Sequence, residues 1–99
     1  SYAVRIVNLY KYLVDEKKEY VMSKQLLRSG TSIGANISET ISTESSADFV
    51  HKLSIAQKEA NEAIYWLALL EKPGYLSGIQ HGSMSSDCTE IRKYWFPAY

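Results

Sequence analysis

Phe49, Leu53, Ala56, Ala60, Ala63, Leu67 and Leu70 follow one another at alternating spacings of four and three. At 3.6 residues per turn these positions form one seam along an α-helix, whereas a strand would scatter them over both of its faces. The seam predicts a long helix over residues 47–72, with three alanines at its centre where a neighbouring backbone must come close. Pro73 and Gly74 stop that helix: proline lacks the N–H the ladder needs, and glycine takes the backbone angles of a C-terminal cap. Ahead of it, Ser42, Thr43, Glu44, Ser45 and Ser46 read as the clearest linker, and Ser46 followed by Asp48 reads as a helix start with an acidic first turn.

The rest of the chain repeats the same period. Ala3, Ile6, Val7, Tyr10, Leu13 and Val14, widened by Leu9, predict an amphipathic helix over 2–15 whose broad stripe meets more than one neighbour. The run Asp15, Glu16, Lys17, Lys18, Glu19 breaks the pattern and reads as a turn or a solvated helix end. A second helix is expected over 20–41, with Leu26, Gly30, Ile33, Ile37 and Ile41 on one face and a polar ladder of Gln25, Arg28, Ser32, Asn36 and Glu39 on the other. Gly30 and Gly34 each cost about 1 kcal/mol relative to Ala inside a helix. Their spacing with Ser38 therefore predicts a face of small residues where another helix backbone approaches. Met84, Cys88, Ile91 and Trp95, spaced four, three and four, predict a shorter helix over 83–95 that ends at Pro97. Four amphipathic helices with short connections in 99 residues predict a single domain over 1–99, all-α, folded as an antiparallel up-down-up-down four-helix bundle.

Hydrophobic content of 45% with 22% charge is that of an ordinary globular protein, and a zero net charge excludes a blanket basic field. The charges are nonetheless uneven: residues 1–31 carry Arg5, Lys11, Lys17, Lys18, Lys24 and Arg28 against Asp15, Glu16 and Glu19, a local excess of three positives. Cys88 is the lone cysteine, which excludes an internal disulfide and a cysteine-rich zinc site and suits a reducing compartment. No apolar run approaches the roughly 18 residues of a membrane span. The chain opens at Ser1 rather than Met, already within an amphipathic pattern, and is read as lacking residues upstream. No signal peptide is visible, and the expected location is cytoplasmic. A core of this size is modest, and eight Tyr and two Trp supply material for an interface, so self-association is expected.

Three stretches carry a family likeness: VRIVNLYKYL at Val4 to Leu13, QLLRSGTSIGANISE at Gln25 to Glu39, and ADFVHKLSIAQKEANE at Ala47 to Glu62. Over roughly Val4 to Leu76 the chain resembles the four-helix bundle proteins encoded in intervening sequences of bacterial 23S ribosomal RNA genes. Arg28, Ser32, Ile33, Asn36, Ile37 and Glu39 match that family's pattern, and Phe49, Leu53, Ala56 and Glu59 follow at its spacing. The resemblance implies a homo-oligomer, often a pentameric ring, and no established enzymatic activity. A related accessory protein of diversity-generating retroelements implies a basic surface that works with nucleic acid and a reverse transcriptase.

The residues themselves leave several readings open. The polar ladder is a solvated face, a contact between helices or subunits in which Arg28 pairs with Glu39 across an interface or with Glu59 within one chain, or an RNA phosphate contact through Arg28. Ile55, Trp66 and Leu69 lie off the main seam and either cover the bundle's own flank or form a partner site with Trp66 at its centre. Arg5, Lys11, Lys17, Lys18 and Lys24, interleaved with Tyr10, Tyr12 and Tyr20, are a solvated surface or a phosphate-binding one with stacking groups.

Catalytic chemistry is not expected. Glu39, Glu59 and Glu62 lack the Glu-x-x-His pairs of a di-iron bundle, His51 and His81 read as surface histidines, and Cys88 has no activating partner in the sequence. No metal, cofactor or small-molecule substrate is expected. The expected function is a non-enzymatic binding or scaffold module whose partners are copies of itself and RNA or a nucleic-acid enzyme. The alternative is a purely structural, self-assembling or protein-interaction module.

Overall fold

Ser1 starts the first helix of the computed structural model, which describes residues 1–95, with side chains through Glu90. The Ser1 hydroxyl accepts from the Val4 N–H at 3.4 Å, and α1 (Tyr2–Asp15) buries Ile6, Leu9 and Leu13. The charged run that follows folds differently from a simple solvated turn. Lys18 takes a positive φ of 55°, the Glu19 N–H donates to the Leu13 carbonyl at 2.9 Å, and the Glu19 side chain turns inward to 7% exposure. Its carboxylate accepts from the N–H groups of Val21, Met22 and Ser23 at 3.3, 3.2 and 2.7 Å. These amides at a helix start have no partner within the helix, and a negative charge there also favours the positive end of the helix dipole. The second helix, α2 (Met22–Glu39), consequently begins two residues later than its periodicity suggests.

Small polar residues are accommodated inside α2 because they bond back to carbonyls one turn earlier in the chain. The hydroxyls of Ser23, Ser29 and Thr31 donate to the carbonyls of Glu19, Gln25 and Leu27 at 2.8, 2.9 and 2.6 Å. Gly30 is where α1 comes close: a Cβ on it would lie 2.8–2.9 Å from three side-chain atoms of Ile6. The expected small-residue face stops there. A Cβ on Gly34 would meet nothing within 4 Å, and Ser38 is exposed. The reason is geometric, since each step of four residues turns about 40° around a straight helix and carries the stripe away from the contact.

A 3₁₀ turn, Thr40–Ser42, leads to α3 (Ser46–Glu71), capped by the Ser45 hydroxyl accepting from the Asp48 N–H at 3.1 Å. The seam is buried from Leu53 through Ala56, Ala60, Ala63 and Leu67 to Leu70. Phe49 departs from it at 42% exposed, because the α2–α3 hairpin runs past the main core there into a separate small cluster of Leu53, Ala56 and Ile37. Gly74, at a φ of 91°, ends α3 as expected, with the Tyr75 N–H donating to the Leu70 carbonyl at 3.1 Å.

The last helix, α4 (Gly78–Trp95), starts five residues before the expected position. Reciprocal capping fixes the start: the Gln80 N–H donates to the Ser77 hydroxyl at 3.1 Å and the Ser77 N–H to Gln80 Oε1 at 2.8 Å. Met84 and Cys88 are buried as their spacing predicts, Cys88 Sγ donating to the Ala60 carbonyl at 3.4 Å. The expected packing of the Ile91 and Trp95 side chains and the stop at Pro97 lie outside the described residues.

Packing α1 on α2, α2 on α3 and α3 on α4 makes the all-α, up-down-up-down four-helix bundle, 44 × 23 × 19 Å in extent. Ile6, Leu9, Leu13, Leu26, Ile33, Ala60, Ala63, Leu67, Leu70, Leu76, Met84 and Cys88 form its core. The closing seam between α1 and α4 is held by polar contacts. The Tyr2 phenol donates to the Met84 carbonyl at 3.2 Å, while Arg5 donates to Ser83 at 2.8 Å and pairs with Asp87. Burial, chiefly, raises the Tyr2 phenol pKa well above its usual range.

Candidate nucleic-acid interface

The polar ladder of α2 resolves into separate local contacts. Ser32 and Asn36 donate to the carbonyls of Arg28 and Ser32 at 2.6 and 2.8 Å. Gln25 stays exposed at the start of the ladder. At its far end Glu39 meets Lys52 of α3 at 2.7 Å, and the hydrogen bond that Lys52 donates to that carboxylate is the main cause of its raised pKa. Arg28 crosses to α3 as well, pairing with Glu59 at 3.1 Å and with Glu62. Of the two ion pairs expected for Arg28, the intrachain one with Glu59 forms.

Glu62 is the member of this group that the sequence reading left without a role. It stands one turn after Glu59, accepts from Arg28, and accepts from the Trp66 indole N–H at 3.3 Å. The hydrogen bond from Arg28, followed by that from Trp66, holds the Glu62 carboxyl below the usual carboxylate range, and the bond to Glu62 in turn raises the Arg28 pKa. One guanidinium between two carboxylates, with Lys58 close enough to act on Glu62, leaves Arg28 neutralised within the chain.

Trp66, half-buried, packs against the core and stands edge-on to Tyr65 with ring centroids 5.1 Å apart. Ile55 is also half-buried, and Leu69 is at the border of exposure at 36%. The flank is thus divided: Trp66 serves the bundle's own packing, and Tyr65 and Leu69 face outward. A more exposed apolar group lies at the tip of the α2–α3 hairpin, where Ile41, Phe49 and Val50 are 88%, 42% and 45% exposed. Sequence reasoning passed over that tip because Phe49 and Ile41 continued buried stripes.

The cations of the first two helices fall into two classes. Arg5 is tied to Asp87 and Ser83, and Arg28 to its two glutamates. Among the described residues, Lys11, Lys17, Lys18 and Lys24 enter no ion pair, and all four are exposed around the α1–α2 turn. Asp15 and Glu16 are the exposed acids beside them. Glu19 faces inward against the amides of α2, which also closes the helix start to any external anion. Of the three tyrosines near these lysines, Tyr10 and Tyr12 are half-buried and Tyr12 packs on the core, whereas Tyr20 is 51% exposed.

His51 is exposed at the hairpin tip, and His81 Nδ1 lies 3.6 Å from Glu71. Among the described residues no three His, Cys, Asp or Glu side chains converge in a geometry that would hold a metal ion. Among the same residues no helix is long and apolar enough to cross a membrane.

The family model of the 23S rRNA-intervening sequence proteins matches residues 1–95. No match is found among curated proteins. Among solved structures, the chain is similar to a protein of unknown function from the S23 ribosomal protein family of Bacteroides thetaiotaomicron VPI-5482. The two are 60% identical, with a TM-score of 0.94 over 96% of this chain and 88% of that one.

Proposed function

This chain belongs to the 23S rRNA-intervening sequence protein family, and from that premise we propose that it is a non-enzymatic, cytoplasmic bundle that holds RNA through the lysines of its α1–α2 turn. The observation that carries the reading is the sorting of cations. Arg5 and Arg28 are neutralised within the chain, while Lys11, Lys17, Lys18 and Lys24 stand exposed and without ion pairs among the described residues. Phosphates recruit such lysines by releasing condensed counterions, a contact that needs no base readout.

Self-association belongs to the same reading. The exposed tip of Ile41, Phe49 and Val50 supplies apolar surface for a homo-oligomer, and an assembly repeats the lysine turn once per subunit. Repetition converts a weak phosphate contact into appreciable binding.

Fluorescence anisotropy of a labelled structured RNA, titrated at several salt concentrations, tests the RNA part. Four phosphate contacts give a slope of log K against log salt of about −3 to −4, and the double variant Lys17→Glu/Lys18→Glu abolishes binding without changing the mass measured by light scattering. Retention of the RNA by that variant would sink the reading. Phe49→Ser combined with Ile41→Ser lowers the assembled mass; an unchanged mass would leave the tip without a role in assembly, and the same experiment on Trp66→Ala tests the α3 flank.

A further inference from the structure

The α1–α2 turn presents an aromatic ring among its lysines, and the way the turn is built says which kind of RNA suits it. Glu19 is the anchor: buried, held by three amides, and tied to Leu13 through its own N–H. With residue 19 drawn inward and Lys18 at a positive φ, the residues on either side are left outward, and Lys17, Lys18, Tyr20 and Val21 are all exposed. Tyr20 therefore follows a residue fixed by hydrogen bonds and has about half of its surface free. Lys18 lies two residues before it and Lys24 four residues after it, in the first turn of α2.

We propose that Tyr20 is a stacking platform for an unpaired base, so that this turn takes single-stranded RNA in preference to duplex. The inference rests on the phosphate-binding reading above. Two features favour it. The Glu19 carboxylate occupies the amides of α2, so a phosphate cannot dock on the helix end and the contacts fall to flexible lysine side chains, which tolerate the irregular backbone of a single strand. An exposed aromatic side chain in the same turn as those lysines adds stacking, which every unpaired base can use and which a base already stacked within a duplex cannot. Tyr10 and Tyr12 do not compete for the role, since both are less exposed than Tyr20 and Tyr12 packs on the core.

The test compares a labelled, unstructured single-stranded RNA with the same strand annealed to its complement, against the full chain and three variants. The unmodified protein is expected to bind the single strand more tightly. Tyr20→Ala should weaken single-strand binding about 5- to 100-fold and leave duplex binding unchanged, whereas Tyr20→Phe, which keeps the ring, should stay within about 2-fold of the unmodified protein. Unchanged helical circular dichroism in Tyr20→Ala excludes loss of fold as the cause. No loss in Tyr20→Ala, or an equal loss on both RNAs, overturns the stacking role while leaving the lysine contact standing. Failure of the unmodified protein to bind either RNA at low salt, or full binding by Lys17→Glu/Lys18→Glu, overturns the phosphate reading itself.

Discussion

Replacing each of the two glycines of α2 by alanine should have opposite effects on stability. Both are interior helical positions, so each Gly→Ala change gains about 0.8–1 kcal/mol of helix propensity. At Gly34 nothing opposes that gain, because a Cβ meets no atom within 4 Å. At Gly30 the new Cβ would sit 2.8–2.9 Å from Cδ1, Cγ1 and Cγ2 of Ile6, a side chain with no exposure. Three atoms of one β-branched side chain cannot all retreat by rotating a flexible end, so α1 must shift, and overpacking of this kind costs about 1–3 kcal/mol. Gly34→Ala is therefore expected to be more stable than the unmodified chain, and Gly30→Ala less stable by up to about 2 kcal/mol. Since propensity cancels between the variants, their gap measures the α1–α2 contact alone, about 1–3 kcal/mol. Urea unfolding followed by circular dichroism reads the gap directly, and a domain of this size shows it as about 4–8 °C in Tm per kcal/mol. In an Ile6→Ala background the clash is gone, and Gly30→Ala should then stabilise as Gly34→Ala does. Equal stabilisation by the two changes in the unmodified background would refute the close approach of α1 to Gly30.

The polar contacts carry four other outcomes. Glu19→Ala leaves the amides of Val21, Met22 and Ser23 without their acceptor, that of Ser23 in a buried place, and should lower stability by about 1–3 kcal/mol, with faster hydrogen exchange at all three. Glu62 has a carboxyl pKa lowered on folding by Arg28 and Trp66, so its contribution is fully present above its ordinary value near pH 4.5 and is lost as pH falls below that. For this partly exposed ion pair the contribution is about 0.2–1 kcal/mol, and Glu62→Gln should flatten the acid limb of stability against pH by that amount; an identical limb would dismiss the pair as a contributor. Cys88 has no exposure and sits on α4 against Ala60, so a thiol reagent should modify it only through opening of α4, at least about 100-fold more slowly than in urea-unfolded protein. Arg5→Ala, which removes the Asp87 and Ser83 contacts of the α1–α4 seam, should speed that modification.

The helical architecture was legible because it rests on local regularities. The α3 seam, the α1 stripe, the Pro73–Gly74 stop and the Met84–Cys88 spacing each follow from 3.6 residues per turn or from the backbone limits of proline and glycine. The errors came where a residue's role depends on what lies opposite. Gly34 and Ser38 share the spacing of Gly30, but only Gly30 has Ile6 across from it. Glu19 reads as one more surface charge in a charged run, and its burial depends on the turn folding back to the end of α1. The α4 start was missed because two glycines weaken the helical pattern, whereas the Ser77–Gln80 cap that sets it lies in a short polar stretch.

The candidate interface divides along the same line. The excess of positive charge before residue 31 is plain in the sequence, but the availability of each cation is not. Arg28 finds its carboxylates 31 and 34 residues away and Arg5 finds Ser83 78 residues away, distances over which periodicity carries no information. Sequence alone determined that the chain makes amphipathic helices, where the longest of them stops, and that the helices pack as a bundle, because backbone sterics and hydrophobic period act between near neighbours. Tertiary structure alone decided which charges neutralise one another, which lysines stay exposed and unpaired, and which of three tyrosines keeps an open face, because those outcomes depend on side chains brought together only when the helices pack.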